Sequence, residues 1–189
     1  MRGSEKFLLL AVRDKIRSAC GYRESECNVE LDEMAPATVG QLYVAVMPGG
    51  CSPTGRHNTS GGVRDITWRV NAMLVKRIRE VPRDRLRNVF IENLDCLDEE
   101  IDKVIEAVDW DYGVINAASD ALDAVNPAGR FLEPLKFTSL DDKPRMADPE
   151  IFAGAPARSG NIHAGMVRTI RFSGARRITY TAAAGGAGA

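Results

Sequence analysis

Hydrophobic and polar residues alternate along the chain from Ile66 to Ile78. Ile66, Trp68, Val70, Ala72, Leu74 and Ile78 fall on one side of the alternation, interrupted by Lys76. Thr67, Arg69, Asn71 and Arg77 fall on the other, which Met73 and Val75 make only partly polar. A period of two marks a strand buried on one side, because successive side chains of an extended chain point to opposite faces. At ~3.3 Å per residue such a strand reaches roughly 40 Å, beyond the usual length. It predicts a sheet that projects past its own domain or lines up with copies of itself.

Other stretches follow a helical period. Leu8 or Leu9, Val12, Ile16 and Ala19 recur at three- and four-residue steps and predict a helix over 5–20, with Ser4 as N-cap and Gly21 as its stop. A polar stretch runs to Gly40. Leu42, Val44 and Val46 then alternate with Tyr43, Ala45 and Met47, a first strand over 41–47. Pro48, Gly49 and Gly50 predict its end. Residues 48–62 hold five glycines and two prolines, the composition of a mobile hairpin tip. Antiparallel pairing of 41–47 with the strand from Val63 is the simplest connection.

Residues 81–93 read as a connector carrying Pro82. Leu94, Leu97, Ile101, Val104, Ile105 and Val108 predict a second helix. Asp98, Glu99 and Glu100 sit in its first turn, where the helix dipole favours negative charge. Residues 113–165 hold five of the nine prolines and read as irregular. Within them Phe131 to Phe137 predicts a short strand, which Pro134 confines to an edge or a bulge. The stretch 138–164 reads as a long loop, ordered, like the hairpin tip, by assembly. Two short final strands are expected at Met166–Phe172 and Arg177–Tyr180, joined by a turn at Ser173-Gly174. The chain therefore reads as a single α+β domain over 1–180, with an irregular insertion at about 113–165 and a flexible Ala/Gly tail over 181–189. The sheet is expected to be mostly antiparallel, with two helices on one face and a long projecting β-hairpin.

Composition adds bounds rather than chemistry. The 189 residues, 44% apolar and 27% charged, are those of an ordinary globular protein. A net charge of −1 gives no general attraction to nucleic acid or anionic membrane. No run approaches the ~18 apolar residues of a membrane span, and Phe7–Val12 is too short for a signal peptide's apolar region. The four cysteines (Cys20, Cys27, Cys51, Cys96) form no C-x-x-C pair, and there are two histidines, His57 and His163. That spacing does not suit a metal site, and free thiols in a reducing cytosol are expected.

Catalytic motifs are equally thin. Gly50-Cys-Ser-Pro-Thr-Gly55-Arg-His57 has the glycine spacing of a phosphate loop but lacks its lysine and the following Ser/Thr, and Pro53 removes a backbone N–H. Ser52 and Ser60 lie near glycines without forming G-x-S-x-G. Asp141 and Asp142 sit beside Lys143, as in a solvated turn. A non-enzyme without a cofactor is expected.

Charge patterning says more. Residues 64–87 carry eight Lys/Arg against three Asp/Glu, and residues 92–111 carry nine Asp/Glu against one Lys. Either the two stretches balance each other within one subunit, or they are the complementary edges of neighbouring subunits. The second arrangement requires two different matching surfaces and closes into a ring where the rotation permits. The residues assigned to such an interface are Arg64, Arg69, Arg77, Arg79, Glu99, Glu100, Asp102 and Glu106. A basic stripe of Arg69, Arg77, Arg79, Arg83, Arg85 and Arg87 could also face nucleic acid, although few aromatic residues accompany it for base stacking.

In layout, residues 5–180 resemble the tail terminator (tail completion, or neck) proteins of tailed bacteriophages. The resemblance rests on an amphipathic helix, Phe7–Ala19, and on a strand ending in Pro-Gly, Leu42-Tyr-Val-Ala-Val-Met-Pro-Gly-Gly50. It continues through the long strand Arg64-Asp-Ile-Thr-Trp-Arg-Val-Asn-Ala-Met-Leu-Val75, the acidic helix Leu97–Trp110, the segment Phe131-Leu-Glu-Pro-Leu-Lys-Phe137 and a closing strand Met166–Phe172. The resemblance implies a structural virion protein without a catalytic site. It would form a homo-oligomeric ring, six subunits in the family, that caps the tail tube protein. There it would join the tube to the head–tail connector or adaptor in the neck, with genomic DNA passing through the lumen unrecognised and no membrane involved. Assembly would take place in the host cytoplasm. The alternatives are another neck or tail part (a head-closure or adaptor ring, a tube or minor tail protein) and a nucleic-acid-binding domain unrelated to phage.

Overall fold

The computed structural model describes residues 4–31, 41–53, 63–125, 129–131, 133–141, 145–146 and 161–179. Helix α1, Ser4–Cys20, opens the fold and stops at Gly21, whose φ of +73° only glycine adopts without strain. Its apolar stripe of Leu8, Leu9, Val12 and Ile16 is fully buried. The short strand β1, Cys27–Val29, follows and pairs in parallel with β2, Leu42–Pro53. The guanidinium of Arg17 fastens α1 to this edge, its Nε donating to the Cys27 carbonyl at 2.8 Å.

The centre of the sheet is the antiparallel pair β3, Val63–Pro82, and β7, Asn161–Thr179. At ~3.3 Å per residue the 20 residues of β3 reach roughly 65 Å, against roughly 25 Å for the 17 residues of α1. No single helix therefore spans the strand, and several share the sheet face. Strand order is β1-β2-β3-β7, and three short segments share the far side of β7. These are β4, Gly129–Phe131, β5, Lys136–Leu140, and β6, Arg145–Met146. They pair with 176–178, 170–173 and 166–167 of β7 in turn. Together they form one edge strand in pieces, broken where Pro134 withholds its N–H.

The helical layer holds α1, α2 (Leu86–Glu92), α3 (Leu94–Val108) and α4 (Tyr112–Asp123). One core joins Leu97, Ile101 and Val104 of α3 and Val114, Ala118 and Leu122 of α4 to α1 and the even-numbered face of the sheet, from Ile66 to Ile78 and from Ala164 to Phe172. α1 packs against both α3 and α4. A smaller buried group, Tyr43, Ala45, Met73, Val75 and Val167, lies on the opposite, odd-numbered face. The fold is α+β, and its sheet is antiparallel apart from the β1–β2 pair.

Several expectations are corrected. Pro48, Gly49 and Gly50 do not end the first strand, which continues to Pro53 through a bulge between Pro48 and Cys51. Gly50 takes φ +79° there, and a Cβ on Gly49 would stand 2.7 Å from Arg69 Cβ, so the glycines serve a bulge and a close approach, not a turn. The connector 81–93 contains α2 as well as the end of β3. The stretch 113–165 is not irregular throughout, because α4 occupies its start, so among the described residues the helical layer has four α-helices where two were expected. The loop over 138–164 is strand at 138–140, 145–146 and 161–164; residues 142–144 and 147–160 lie outside the described residues. The two short final strands are one continuous β7. Gly174 sits inside it, where a Cβ would come within 3.2 Å of the Glu133 carbonyl oxygen and Leu135 Cδ2. The expected hairpin tip beyond Pro53 and the tail 181–189 also lie outside the described residues.

Candidate functional site

Alternation decides where the arginines of β3 point. Arg69 and Arg77 share the odd-numbered face with Asn71, Met73 and Val75, opposite the helices. Arg171 of β7 joins them, since its register partner is Asn71. Arg69 is exposed and its Nη2 donates to Ser52 Oγ at 3.3 Å. Arg77 is half-buried and its backbone N–H donates to the Gln41 carbonyl at 3.1 Å. Arg171 meets the Asp141 carboxylate at 2.6 Å, while the other Asp141 oxygen accepts from the Thr169 N–H. Arg64 stands opposite Ile178 in the ladder and Arg79 falls in the bulge between Arg77 and Glu80. The expected stripe running on to Arg87 is interrupted by that bulge, and exposed Arg85 and Arg87 belong to the turn and helix that follow.

The acidic residues belong to the other layer. α3 buries Leu97, Ile101, Val104 and Val108, so Asp98, Glu99, Asp102 and Glu106 face outward and are exposed. A helix is ~10 Å across and packs about that far from the sheet, so its outer surface lies beyond the ~8–10 Å screening length from the odd-numbered face. Opposite charges held on opposite layers neutralise each other poorly within one subunit.

Glu100 stands apart from its neighbours. Its carboxylate accepts the Tyr22 hydroxyl and, at 2.6 Å, the Lys103 ammonium. Burial pushes the Glu100 carboxyl up, but the bonds from Lys103 and Tyr22 and the charges of Lys103 and Lys76 outweigh it and hold it below its ordinary value. Burial and the same carboxylate push the Tyr22 phenol well above its ordinary range. Glu100 thus links the α1–β1 loop to α3 from inside. A matching pair, Tyr43 to Glu30, ties β2 to the segment after β1.

A third feature was not legible as a site. α3 ends at Asp109, whose carboxylate accepts the Phe137 N–H at 2.6 Å. The next N–H, of Trp110, donates to the Leu135 carbonyl at 2.8 Å. The α3–α4 corner thereby closes the free edge of β5 at its start. Trp110 pays for this corner with a φ of +57°, a left-handed conformation that bulky residues avoid. Its ring lies under Lys136, with Nζ 4.6 Å from the centroid, yet Trp110 remains 55% exposed. Tyr112 is 61% exposed and Phe137 39%, its ring edge-on to Phe172. Trp110-Asp-Tyr112-Gly directly after an acidic helix was the available signal.

The remaining candidates are scattered. Cys27 is buried, which pushes its thiol up to about 12, and Cys20 is half-buried. Cys51 is exposed on β2. His163 pairs with Glu80 in the ladder, and His57 and Ser60 lie outside the described residues. Among the described residues no group of three or more His, Cys, Asp or Glu could hold a metal ion, and no helix is long and apolar enough to cross a membrane. No protein-family model and no curated protein matches the chain.

Proposed function

We propose that this chain is a structural ring subunit of the neck of a tailed bacteriophage, a tail terminator that caps the tail tube and joins it to the head connector. One observation carries the reading: Arg69 and Arg77 of β3 and the outer acids Glu99, Asp102 and Glu106 of α3 lie on opposite layers of one subunit. Two different complementary surfaces on one chain are what a head-to-tail contact needs, and head-to-tail contacts close into rings. The β3–β7 pair supports it further, since a strand of 20 residues is far longer than the usual strand of a compact domain. In this reading Glu99, Asp102 and Glu106 of one subunit face Arg69 and Arg77 of the next, while Glu100 holds its own subunit together. The ring has six subunits, as in the family the layout resembles.

Incubation with tail tubes, followed by negative-stain imaging, tests the assignment. A single ring at one end of each tube is the expected result. Ring upon ring along the tube identifies a tube protein instead. Protein that ignores tubes and shifts DNA in a salt-dependent way overturns the neck reading in favour of a nucleic-acid-binding domain.

A further inference from the structure

The sheet ends on β1 at one side and on the pieces β4, β5 and β6 at the other. An edge strand turns backbone N–H and C=O groups away from its own ladder, and an open row of them is a template for another chain. On β1 those groups are taken from within. The Cys27 N–H donates to the Arg23 carbonyl at 3.2 Å, the Cys27 carbonyl accepts Arg17 Nε at 2.8 Å, and the Val29 N–H donates to Asn28 Oδ1 at 3.2 Å. On β5 the α3–α4 corner has the same effect. The Asp109 carboxylate holds the Phe137 N–H at 2.6 Å, and the Trp110 N–H holds the Leu135 carbonyl at 2.8 Å.

These two bonds account for the backbone of Trp110. Its φ of +57° is one that bulky residues avoid, and the residue is more than half exposed, so burial does not compensate. The left-handed turn sets an acceptor and, one residue on, a donor against a donor and an acceptor two residues apart on β5. A helix end thereby supplies what a neighbouring strand would supply. Between the two bonded positions stands Lys136, its ammonium 4.6 Å above the Trp110 ring and 3.3 Å from the Glu133 carboxylate. A lysine on an edge strand is itself a guard against pairing.

We infer that the α3–α4 corner is a latch that shuts the β5 edge against strand addition by a second copy of this chain. A second copy is the partner to be kept out because an open β5 matches itself: two identical edges pair antiparallel about a two-fold axis, each offering the groups the other lacks. Subunits that meet through their faces and subunits that stay apart both need that edge shut, so the inference goes beyond the ring reading and does not depend on it.

Amide hydrogen exchange and sedimentation velocity on Asp109→Ala, Asp109→Asn and the double variant Asp109→Ala with Phe137→Pro test the latch. At low concentration Asp109→Ala is expected to speed exchange of the Phe137 amide roughly tenfold or more, and Asp109→Asn, which keeps an acceptor oxygen, by less. As concentration rises, Asp109→Ala should associate beyond the wild-type level while the amides of β3 stay protected, and the Phe137 amide should become protected again. The added Phe137→Pro should return association to the wild-type level, because proline has no N–H to offer at the edge. A merely structural aspartate would lower stability without any protection that grows with concentration. Should Asp109→Ala lose protection in β3, Asp109→Asn is read by the same criteria. A variant that keeps β3 protected and associates no more than the wild type overturns the latch. Association that the proline leaves intact, or that appears only once the β3 amides exchange freely, overturns it as well.

Discussion

Gly49 and Gly50 are the sharpest place to test the strand geometry, because a turn and a bulge predict opposite signs. In the register of β2 on β3, Pro48 faces Val70 and Cys51 faces Trp68, so both glycines stand opposite Arg69. A Cβ on Gly49 would lie 2.7 Å from Arg69 Cβ, 2.8 Å from its carbonyl carbon and 2.9 Å from its oxygen. Two of those atoms are backbone in the middle of the sheet and cannot swing aside. Overpacking of this kind costs about 1–3 kcal/mol, offset by ~0.4–1 kcal/mol because alanine stiffens the unfolded chain. Gly49→Ala should thus lose about 1–2 kcal/mol. With a typical urea slope of ~1–3 kcal/mol/M, the midpoint falls by about 1 M at unchanged slope. Gly50 meets nothing within 4 Å but has φ +79°. Gly50→Asn should therefore be milder than Gly50→Ala, whereas asparagine brings no relief at Gly49. If 48–50 were a free turn, Gly49→Ala would stabilise by the unfolded-state term alone. A urea midpoint at or above the wild-type value, measured below the self-association concentration, would refute the bulge.

Reversing two outer acids of α3, Glu99→Lys with Glu106→Lys, should weaken self-association by about 1–2 kcal/mol at low salt and by less at high salt, read by sedimentation velocity. Glu100→Gln should instead act on the fold. The Glu100 carboxyl titrates below its ordinary value of 4.5 in the folded chain, so its contribution is present above that value and fades as pH falls through the folded pKa. Acid titrations of thermal stability should consequently be less steep below about pH 4.5 in Glu100→Gln than in the wild type. Asp111 accepts the Val114 N–H at the start of α4 and pairs with Lys15, and Asp111→Ala should cost ~1–2 kcal/mol in denaturant titrations. With a thiol reagent and peptide mapping, Cys51 should label in the native protein and Cys27 only on unfolding.

The parity of β3 was fully legible, because each even position from Ile66 to Leu74 is apolar and its burial needs no knowledge of partners. Parity also assigned Arg69 and Arg77 to one face. What remained hidden depended on contacts between distant segments. Gly174 looked like a turn residue, yet its lack of a Cβ leaves room for residues 133–135 crossing β7. α4 was missed because small Ala118 and Ser119 fill part of its buried stripe and Gly113 sits near its start. Asp111, three residues before the first buried pair, was the readable N-cap. The bonds from Asp109 and Trp110 to residues 137 and 135 join segments distant in sequence, which no local pattern encodes. Similarly, Glu100 could not be told from Glu99 by charge alone; only the position of Tyr22 separates them.

Light scattering on the size-exclusion peak, with negative-stain imaging of the same fraction in the presence and absence of tail tubes, tests head-to-tail assembly most directly. The account predicts closed single rings of about six subunits, in solution or seated on tube ends. A monodisperse monomer that stays monomeric with tubes, or a symmetric dimer using the same face twice, would contradict it.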